Sequence, residues 1–334
     1  MTLLSLCAIV RDEEARIADC LESARTVCDE LVVVDTGSKD RTPEIARDRG
    51  AIVVRHPWKA DFSEARNRAL DAATGDWVLQ LDADEVLSPR GAPLVRAAVE
   101  STEVAGWNVE IRSALPSGGV ASHHCVRLFR RSPSHRYRGR IHELPTISGP
   151  IADASFSILH SGYDLTPEQQ RHKQARNLTL LQAWIDESPD DPDAHFHRTT
   201  SLLAMGRDED AAKSGRRAAE LFAVMGAPAC EALAWDLVGV AELGRRRWAE
   251  ADAALERALE LEPDLVDAHF DRARLLEARG DDLGALRSYA EYFAARARWR
   301  VAGRTDLLLR TPHSEAVARR NIAVLRRRTA FAAR

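Results

Sequence analysis

Residues 75–87, GDWVLQLDADEVL, hold an apolar run of Trp77, Val78, Leu79 and Leu81 that stops abruptly at three carboxylates, Asp82, Asp84 and Glu85. The Gly75-Asp76 turn in front of the run and its unbroken hydrophobicity mark a strand buried on both faces. Three acids within four residues cannot continue into a core, because unpaired charge is too costly to bury. In an open α/β sheet, ligands sit in the crevice beyond the carboxyl ends of the strands, so the acids are expected to project there. On an extended segment residues i and i+2 point the same way, and Asp82 and Asp84 are therefore expected to face one ligand together. Two like charges that close call for a cation between or beside them. A lone D-x-D is a common triplet, so the reading depends on its surroundings.

Upstream, apolar runs and helical patterns alternate. Leu3 to Val10 reads as a strand, Arg11-Asp12-Glu13-Glu14 as a turn, and Ile17, Leu21 and Ala24 as the apolar stripe of a helix. Glu30 to Val34 is a second strand ending in the polar turn Asp35-Thr36-Gly37-Ser38-Lys39-Asp40. Thr42 as cap and Pro43 at the first turn open a helix that Gly50 closes. Ala51 to Arg55 forms a third strand, and Asp61-Phe62-Ser63 caps a helix from Glu64 to Ala73 that carries Arg66 in its first turns. Such alternation predicts an α/β fold, a mainly parallel sheet with helices on both faces. Asp35, at the end of strand two, is placed to accept hydrogen bonds from a ribose or a base. The first strand-to-helix turn, VRDEE, has no glycine, so the phosphate cradle of a dinucleotide fold is missing. A nucleotide diphosphate bound here would need its charge met by a divalent ion at Asp82 and Asp84.

Beyond the acids, Pro93 to Val99 reads as a helix, and Gly106 to Arg112 and Val126 to Phe129 as strands, with a Pro/Gly/Ser turn or flap over Leu115 to Val120. Neighbouring side chains on a strand face opposite ways, so His123-His124-Cys125 is not read as a zinc site. Two later clusters hold chemistry, Arg138-Gly139-Arg140-Ile141-His142-Glu143 and Ile158-Leu159-His160-Ser161-Gly162-Tyr163.

The segments SLCAIVRDEE, VVVDTGSKDRT, FSEARNRAL and WVLQLDADE, in this order and spacing, resemble glycosyltransferase family 2, inverting enzymes of GT-A fold, over roughly residues 1–165. The resemblance implies that Val10, Arg11 and Glu13 line the nucleotide pocket, that Asp35 recognises the base, and that Arg66 lies near the base or phosphates. It implies that Asp82 and Asp84 form the D-x-D element and that Mg²⁺ or Mn²⁺ bridges Asp84 to the diphosphate of a nucleotide sugar. Inversion needs a carboxylate to take the acceptor's proton. Glu143 is the candidate base, Asp82 is counted with it as catalytic, and Asp164 is a substitute. His160, in an H-x-G-Y segment similar to one late in such enzymes, is a candidate to complete the metal shell. Arg66 has a plain alternative as an exposed helix arginine paired with Glu64 or Asp61.

From Thr166 the strand signals stop, which divides the chain into a catalytic domain, 1–165, and a helical one, 166–334. Thr166 is a possible cap for a helix from Pro167 to Asp186. Asp193-Ala194-His195-Phe196 recurs as Asp267-Ala268-His269-Phe270, and Trp235, Gly239, Ala251, Ala258 and Pro263 match the spacing of a 34-residue tetratricopeptide (TPR) repeat. Copies starting near Pro192, Ala232 and Val266 give about three helical hairpins, enough to stack, with an insertion around Ala223 to Ala229. Arg298 to Arg334 is expected to be helical and is basic at Arg326-Arg327-Arg328. A stack of this kind offers a face for the acceptor, a protein partner or a second copy of the chain.

A net charge of −4 argues against nucleic acid as the main partner. No run approaches the ~18 apolar residues of a membrane span. The odd number of cysteines, five, and the absence of C-x-x-C argue for reduced thiols, mostly buried. The start of the chain lacks a secretory pattern, so a cytoplasmic place is expected, with peripheral attachment at the inner face of a membrane left open. The reading is a metal-dependent, inverting glycosyltransferase that moves a sugar from a nucleotide diphosphate to a hydroxyl of a glycan, lipid-linked or polypeptide acceptor. A non-catalytic TPR scaffold with a degenerate transferase domain is the alternative. A nucleotidyltransferase would want a glycine-rich basic loop after strand one, which VRDEE does not provide.

Overall fold

The computed structural model describes residues 2–114, 120–161, 166–302 and 314–332, and the chain divides into two compact units, Met1–Gln170 and Arg171–Arg334. The first runs β1 (Leu4–Val10), α1 (Ile17–Ala24), β2 (Glu30–Asp35), α2 (Thr42–Asp48), β3 (Ile52–Arg55), α3 (Phe62–Ala72), β4 (Trp77–Gln80), β5 (Glu85–Leu87), α4 (Gly91–Val99), β6 (Gly106–Ala114), β7 (Val120–Arg130), β8 (Tyr137–Arg138), β9 (Leu144–Pro145) and β10 (Ile151–His160). Eight of these strands form one sheet in the order β3-β2-β1-β4-β7-β6-β10-β5, and β8 and β9 make a separate hairpin. Neighbours among β3, β2, β1 and β4 are parallel, β7 is antiparallel to both β4 and β6, β10 is parallel to β6, and β5 is antiparallel to β10.

The apolar runs explain the layering. In β4, Trp77, Leu79 and Leu81 just beyond it face a core shared with α1, α2 and α4, while Val78 faces a second core with α3 and Tyr137. Both faces of the sheet are thus covered, as the alternating β and α signals require. Each such side chain, fully buried here, contributes about 1.5–3 kcal/mol.

The loops bring the strand ends to one rim. Asp61 Oδ1 accepts from Glu64 N at 3.0 Å and caps α3 as expected. Thr42 does not cap α2: its hydroxyl accepts from Glu13 N at 2.7 Å and donates to Asp40 Oδ1 at 2.5 Å, lacing the β1–α1 turn to the β2–α2 turn. Asp12 adds to the lacing, donating from its amide to Ser38 Oγ at 3.0 Å and accepting from Lys39 N at 2.7 Å. Those two bonds hold Asp12 at φ 56°, a left-handed conformation that Asp tolerates better than bulkier residues. The acids also depart from expectation. β4 ends at Gln80, and Asp82 to Asp84 lie in a turn in which Glu85 N donates to Asp82 O at 2.9 Å. Strand alternation therefore does not set where the two aspartates point. Of the expected turn over Leu115 to Val120, only Val120 lies among the described residues.

From Pro167 the described chain is helical, α5 (Pro167–Glu187) starting in the last residues of the first unit and followed by α6 (Pro192–Ala204), α7 (Asp208–Met225), α8 (Pro228–Gly244), α9 (Trp248–Leu261), α10 (Val266–Ala278), α11 (Asp282–Ala302) and α12 (Ser314–Ala332). Thr166 and Gln169 form a capping box at the start of α5, Thr166 Oγ1 accepting from Gln169 N at 3.2 Å and Gln169 Oε1 from Thr166 N at 2.8 Å. Helices α6/α7, α8/α9 and α10/α11 pack as the three hairpins read from the sequence. The recurring histidine repeats its bond: His195 Nε2 to Pro189 O at 2.9 Å and His269 Nε2 to Pro263 O at 2.8 Å. Helices α7 and α8, 18 and 17 residues long against 13 for α6 and α10, absorb the insertion. Of the helix expected over 298–334, α11 covers 298–302 and α12 covers 314–332, and residues 303–313 lie outside the described residues. Ala318 and Leu325 of α12 join the core of the last hairpin, while Arg326, Arg327 and Arg328 are exposed. No described helix is long and apolar enough to cross a membrane. The cysteines are all free: Cys7 and Cys20 are buried, Cys28 and Cys125 half-buried, and Cys230 is exposed, contrary to the expectation that most are buried.

Candidate active site

Four elements converge on Asp82. Arg66 of α3 donates from Nη2 to Asp82 Oδ1 at 2.8 Å, and Gln80 Nε2 donates to the same oxygen at 3.1 Å. Arg127 of β7 reaches the other oxygen, with Nη2 3.2 Å from Asp82 Oδ2 and 2.7 Å from Glu85 Oε1. Glu85 Oε2 then accepts from Asp82 N at 2.9 Å. The cations beside Asp82 and Glu85 are thus arginines of the chain itself. Burial opposes the charge on Asp82, but Arg66 and then Arg127 outweigh it and hold its carboxyl well below the usual range. For Glu85 burial wins over Arg127 and raises the pKa.

Arg66 is buried, so the alternative of an exposed arginine paired with Glu64 or Asp61 does not hold. Glu64 pairs with Lys59 at 2.5 Å, and Asp61 serves as the cap. Arg66 Nε is ion-paired with Glu143 Oε1, and its guanidinium lies 5.6 Å from the Tyr137 ring centroid. One side chain therefore joins Asp82 to Glu143. The loop that delivers Glu143 is tied down: Ser63 Oγ donates to Gly139 O at 2.5 Å, Phe62 N to Arg140 O at 2.9 Å, and Arg140 Nη1 to Ala60 O at 2.9 Å. His142, at φ 56°, holds the left-handed conformation that turns the chain just before Glu143. Asp164, Gly162 and Tyr163 lie outside the described residues.

Asp84 has different company. Its Oδ2 is 3.3 Å from His160 Nε2, and His160 Nδ1 is 3.1 Å from Ser113 Oγ, which stands in register with His160 on the neighbouring strand. The hydrogen bond to Asp84 raises the His160 pKa, with burial opposing it. Among the described residues no third His, Cys, Asp or Glu gathers with this pair into a metal cluster. A carboxylate and an imidazole with the remaining positions left to water and ligand oxygens fit a Mg²⁺ or Mn²⁺ carried with a diphosphate. Asp82, with both oxygens engaged by protein donors, is not needed as a ligand. His123 and His124 stand opposite Ile111 and Glu110 in the ladder and form no such cluster.

The other expected residues line the ends of β1 and β2. Val10 stands in register with Asp35, which is buried and accepts from Ser38 N at 3.0 Å. Glu13 is raised in pKa by burial, with Arg16 opposing and the charge of Asp84 adding to the rise. Arg11 is exposed, 3.8 Å from Asp12. The structure thus gathers Asp82, Arg66 and Glu143 in one cluster and Asp84 with His160 in a second beside it, while Arg11 points to solvent. Arg127 and Glu85 are the members of this cluster to which sequence reading gave no role. The charge of Arg127 inside the apolar run Val126 to Phe129 was the available signal.

A mainly parallel sheet with a D-x-D turn at its rim defines a transferase domain of GT-A fold. A family model described as glycosyl transferase family 2 matches residues 5–160. A TPR repeat-containing protein of Synechococcus elongatus is 34% identical over 80% of this chain and 68% of its own. The SPbeta prophage-derived glycosyltransferase SunS of Bacillus subtilis is 26% identical over 61% of this chain, which spans 50% of the SunS length. Glucosyl-3-phosphoglycerate synthase from Mycobacterium tuberculosis, solved with Mn²⁺, UDP and glucosyl-3-phosphoglycerate, is 29% identical over 34% of this chain and 43% of its own, with a TM-score of 0.28. The chain belongs to glycosyl transferase family 2, with TPR-like helical hairpins following the transferase domain.

Proposed function

We propose that residues 1–165 form a catalytic domain that transfers a sugar from a nucleotide diphosphate to a hydroxyl of a glycan, lipid-linked or polypeptide acceptor, with inversion. Glycosyl transfer is the activity its family supports. The observation that carries the finer reading is the pairing of Asp84 with His160 beside an Asp82–Arg66–Glu143 cluster at one sheet rim. Asp84 and His160 would hold Mn²⁺ or Mg²⁺, which supplies Lewis-acid neutralisation of the leaving diphosphate. Asp35, Val10, Arg11 and Glu13, at the ends of β1 and β2, bound the nucleotide. Asp82, kept anionic by two guanidiniums, is a hydrogen-bond acceptor for a donor hydroxyl and a poor base. Glu143 takes the proton of the acceptor hydroxyl as the new C–O bond forms opposite the departing diphosphate. Arg66 orients Glu143 and Asp82 toward each other.

Residues 166–334 serve as the acceptor- or partner-binding domain, a role that stacked hairpins commonly fill. Intact Asp35, Asp82, Asp84 and Glu143 favour an enzyme over a degenerate scaffold. A cytoplasmic place, with or without peripheral attachment to the inner face of a membrane, suits a nucleotide-sugar donor. The test is donor hydrolysis across a panel of UDP-, GDP-, CDP- and ADP-sugars with Mn²⁺, in wild type and Glu143→Gln. The reading expects metal-dependent turnover of at least one donor and a loss of ~100-fold or more in the variant. No turnover of any donor would favour the scaffold, and near-normal turnover in Glu143→Gln would put the base elsewhere.

A further inference from the structure

The register between β6 and β7 breaks at one place: Trp107 pairs with Leu128, but Asn108 pairs with Val126. Arg127 is the residue left over. A β-bulge of this kind re-aims the side chain of its extra residue, and bulges recur beside active sites for that reason. Without the bulge, alternation along β7 would commit Arg127 to the face of one core or the other. With it, the guanidinium reaches over the end of β4 to Asp82 Oδ2 at 3.2 Å and Glu85 Oε1 at 2.7 Å.

Glu85 completes the arrangement, since its second oxygen receives the Asp82 main-chain amide at 2.9 Å. Arg127 therefore fixes Asp82 twice, directly through its carboxylate and indirectly through its backbone. Glu85 and Arg127 are both largely buried, at 3% and 11% side-chain exposure, whereas Asp82 keeps 32%. The clamp lies beneath and Asp82 alone is presented outward. Resting on the proposed transferase reading, we propose that Arg127 is a positioning residue, which with Glu85 sets the rotamer of Asp82 so that it accepts a hydrogen bond from a hydroxyl of the nucleotide-sugar donor. Arg127 itself touches neither donor nor metal. A supporting residue one step removed from the ligand commonly controls affinity by 10- to 100-fold, as in the outer shells of metal sites.

The test is a double-mutant cycle in the full-length protein, read by calorimetry with UDP-glucose, UDP-N-acetylglucosamine and GDP-mannose in the presence of Mn²⁺. Arg127→Met is expected to weaken binding of the recognised donor by ~10- to 100-fold, and Asp82→Asn by a similar factor. The double variant is expected to be within about twofold of Asp82→Asn, because Arg127 acts only through Asp82. Arg127→Lys, which keeps the charge but loses the fork, is expected to fall between wild type and Arg127→Met. Loss of packing alone would not give that ranking together with a collapsed second effect. Wild-type affinity in Arg127→Met, or effects that multiply in the double variant, would overturn the inference. If the wild type binds none of these donors and no CDP- or ADP-sugar either, the transferase reading is what fails, and the clamp is judged by the same cycle in urea unfolding. There, independent effects of Arg127→Met and Asp82→Asn on the unfolding constant would overturn it, and a marked departure from independence would sustain it.

Discussion

Arg66→Met removes the one side chain that joins Asp82 to Glu143, and its cost can be worked from the geometry. Arg66 and Glu143 are 10% and 8% exposed at the side chain, so the variant leaves Glu143 as an almost fully buried carboxylate without its partner. Breaking a buried pair in this way costs about 3–5 kcal/mol. Asp82 adds little to that sum, because it is a third exposed and keeps Arg127 and Gln80. One gain offsets the loss: Arg66 Nη1 is buried with no hydrogen-bond partner, and removing it relieves about 1 kcal/mol of desolvation. The net is about 2–4 kcal/mol, or roughly 30- to 1000-fold in an equilibrium constant. Native-state hydrogen exchange of peptides from β1 and β4 reads opening of this unit apart from the helical one. Protection there should fall by about that factor, and the added neutralisations Asp82→Asn and Glu143→Gln should restore most of it. Protection within about threefold of wild type would refute the claim that Arg66 is the electrostatic centre of the site.

Two further predictions concern different parts of the molecule. A Cβ on Gly239 would lie 2.6 Å from Leu255 Cγ, so Gly239→Ala should lower the stability of the α8/α9 hairpin by about 1–3 kcal/mol in urea unfolding; an unchanged midpoint would mean the helices can part freely. His160 has a pKa raised by Asp84, so the Asp84–His160 ion pair stabilises the fold below the ordinary histidine pKa and fades as pH rises through the raised one. Mn²⁺ must displace that proton, so in the presence of a nucleoside diphosphate the apparent Mn²⁺ affinity should climb with pH and then level off. His160→Gln should flatten the climb, and an unchanged pH dependence in that variant would remove His160 from the metal site.

Much of the fold was legible because period and punctuation agreed. The runs Leu3 to Val10, Glu30 to Val34 and Trp77 to Leu81 are too apolar and too short for anything but strands buried on both faces. The TPR-like hairpins showed themselves through Gly239, Ala251 and Ala258, small residues at fixed spacing where helices touch. What escaped was geometry that a pattern does not encode. Pattern alone makes the D-x-D segment an extension of the strand with both aspartates on one side, but the bond from Glu85 N to Asp82 O closes a turn there, and Asp82 and Asp84 meet different partners. Arg127 escaped because alternation assigns each strand residue to a face, and a bulge suspends that rule. Thr42 carries a capping residue type, but nothing local says that its hydroxyl meets Glu13 across another loop. Arg66 and Glu143, 77 positions apart, are joined by tertiary packing alone.

A divalent ion held by Asp84 and His160 would join the protein to a nucleotide diphosphate. Calorimetric titration of UDP, GDP, CDP and ADP, with and without Mn²⁺, into wild type and Asp84→Ala tests it directly. At least one diphosphate should bind the wild type with Mn²⁺, lose most of that affinity without it, and show no metal enhancement in Asp84→Ala. Equal affinity with and without Mn²⁺, or an undiminished metal effect in the variant, would contradict the account.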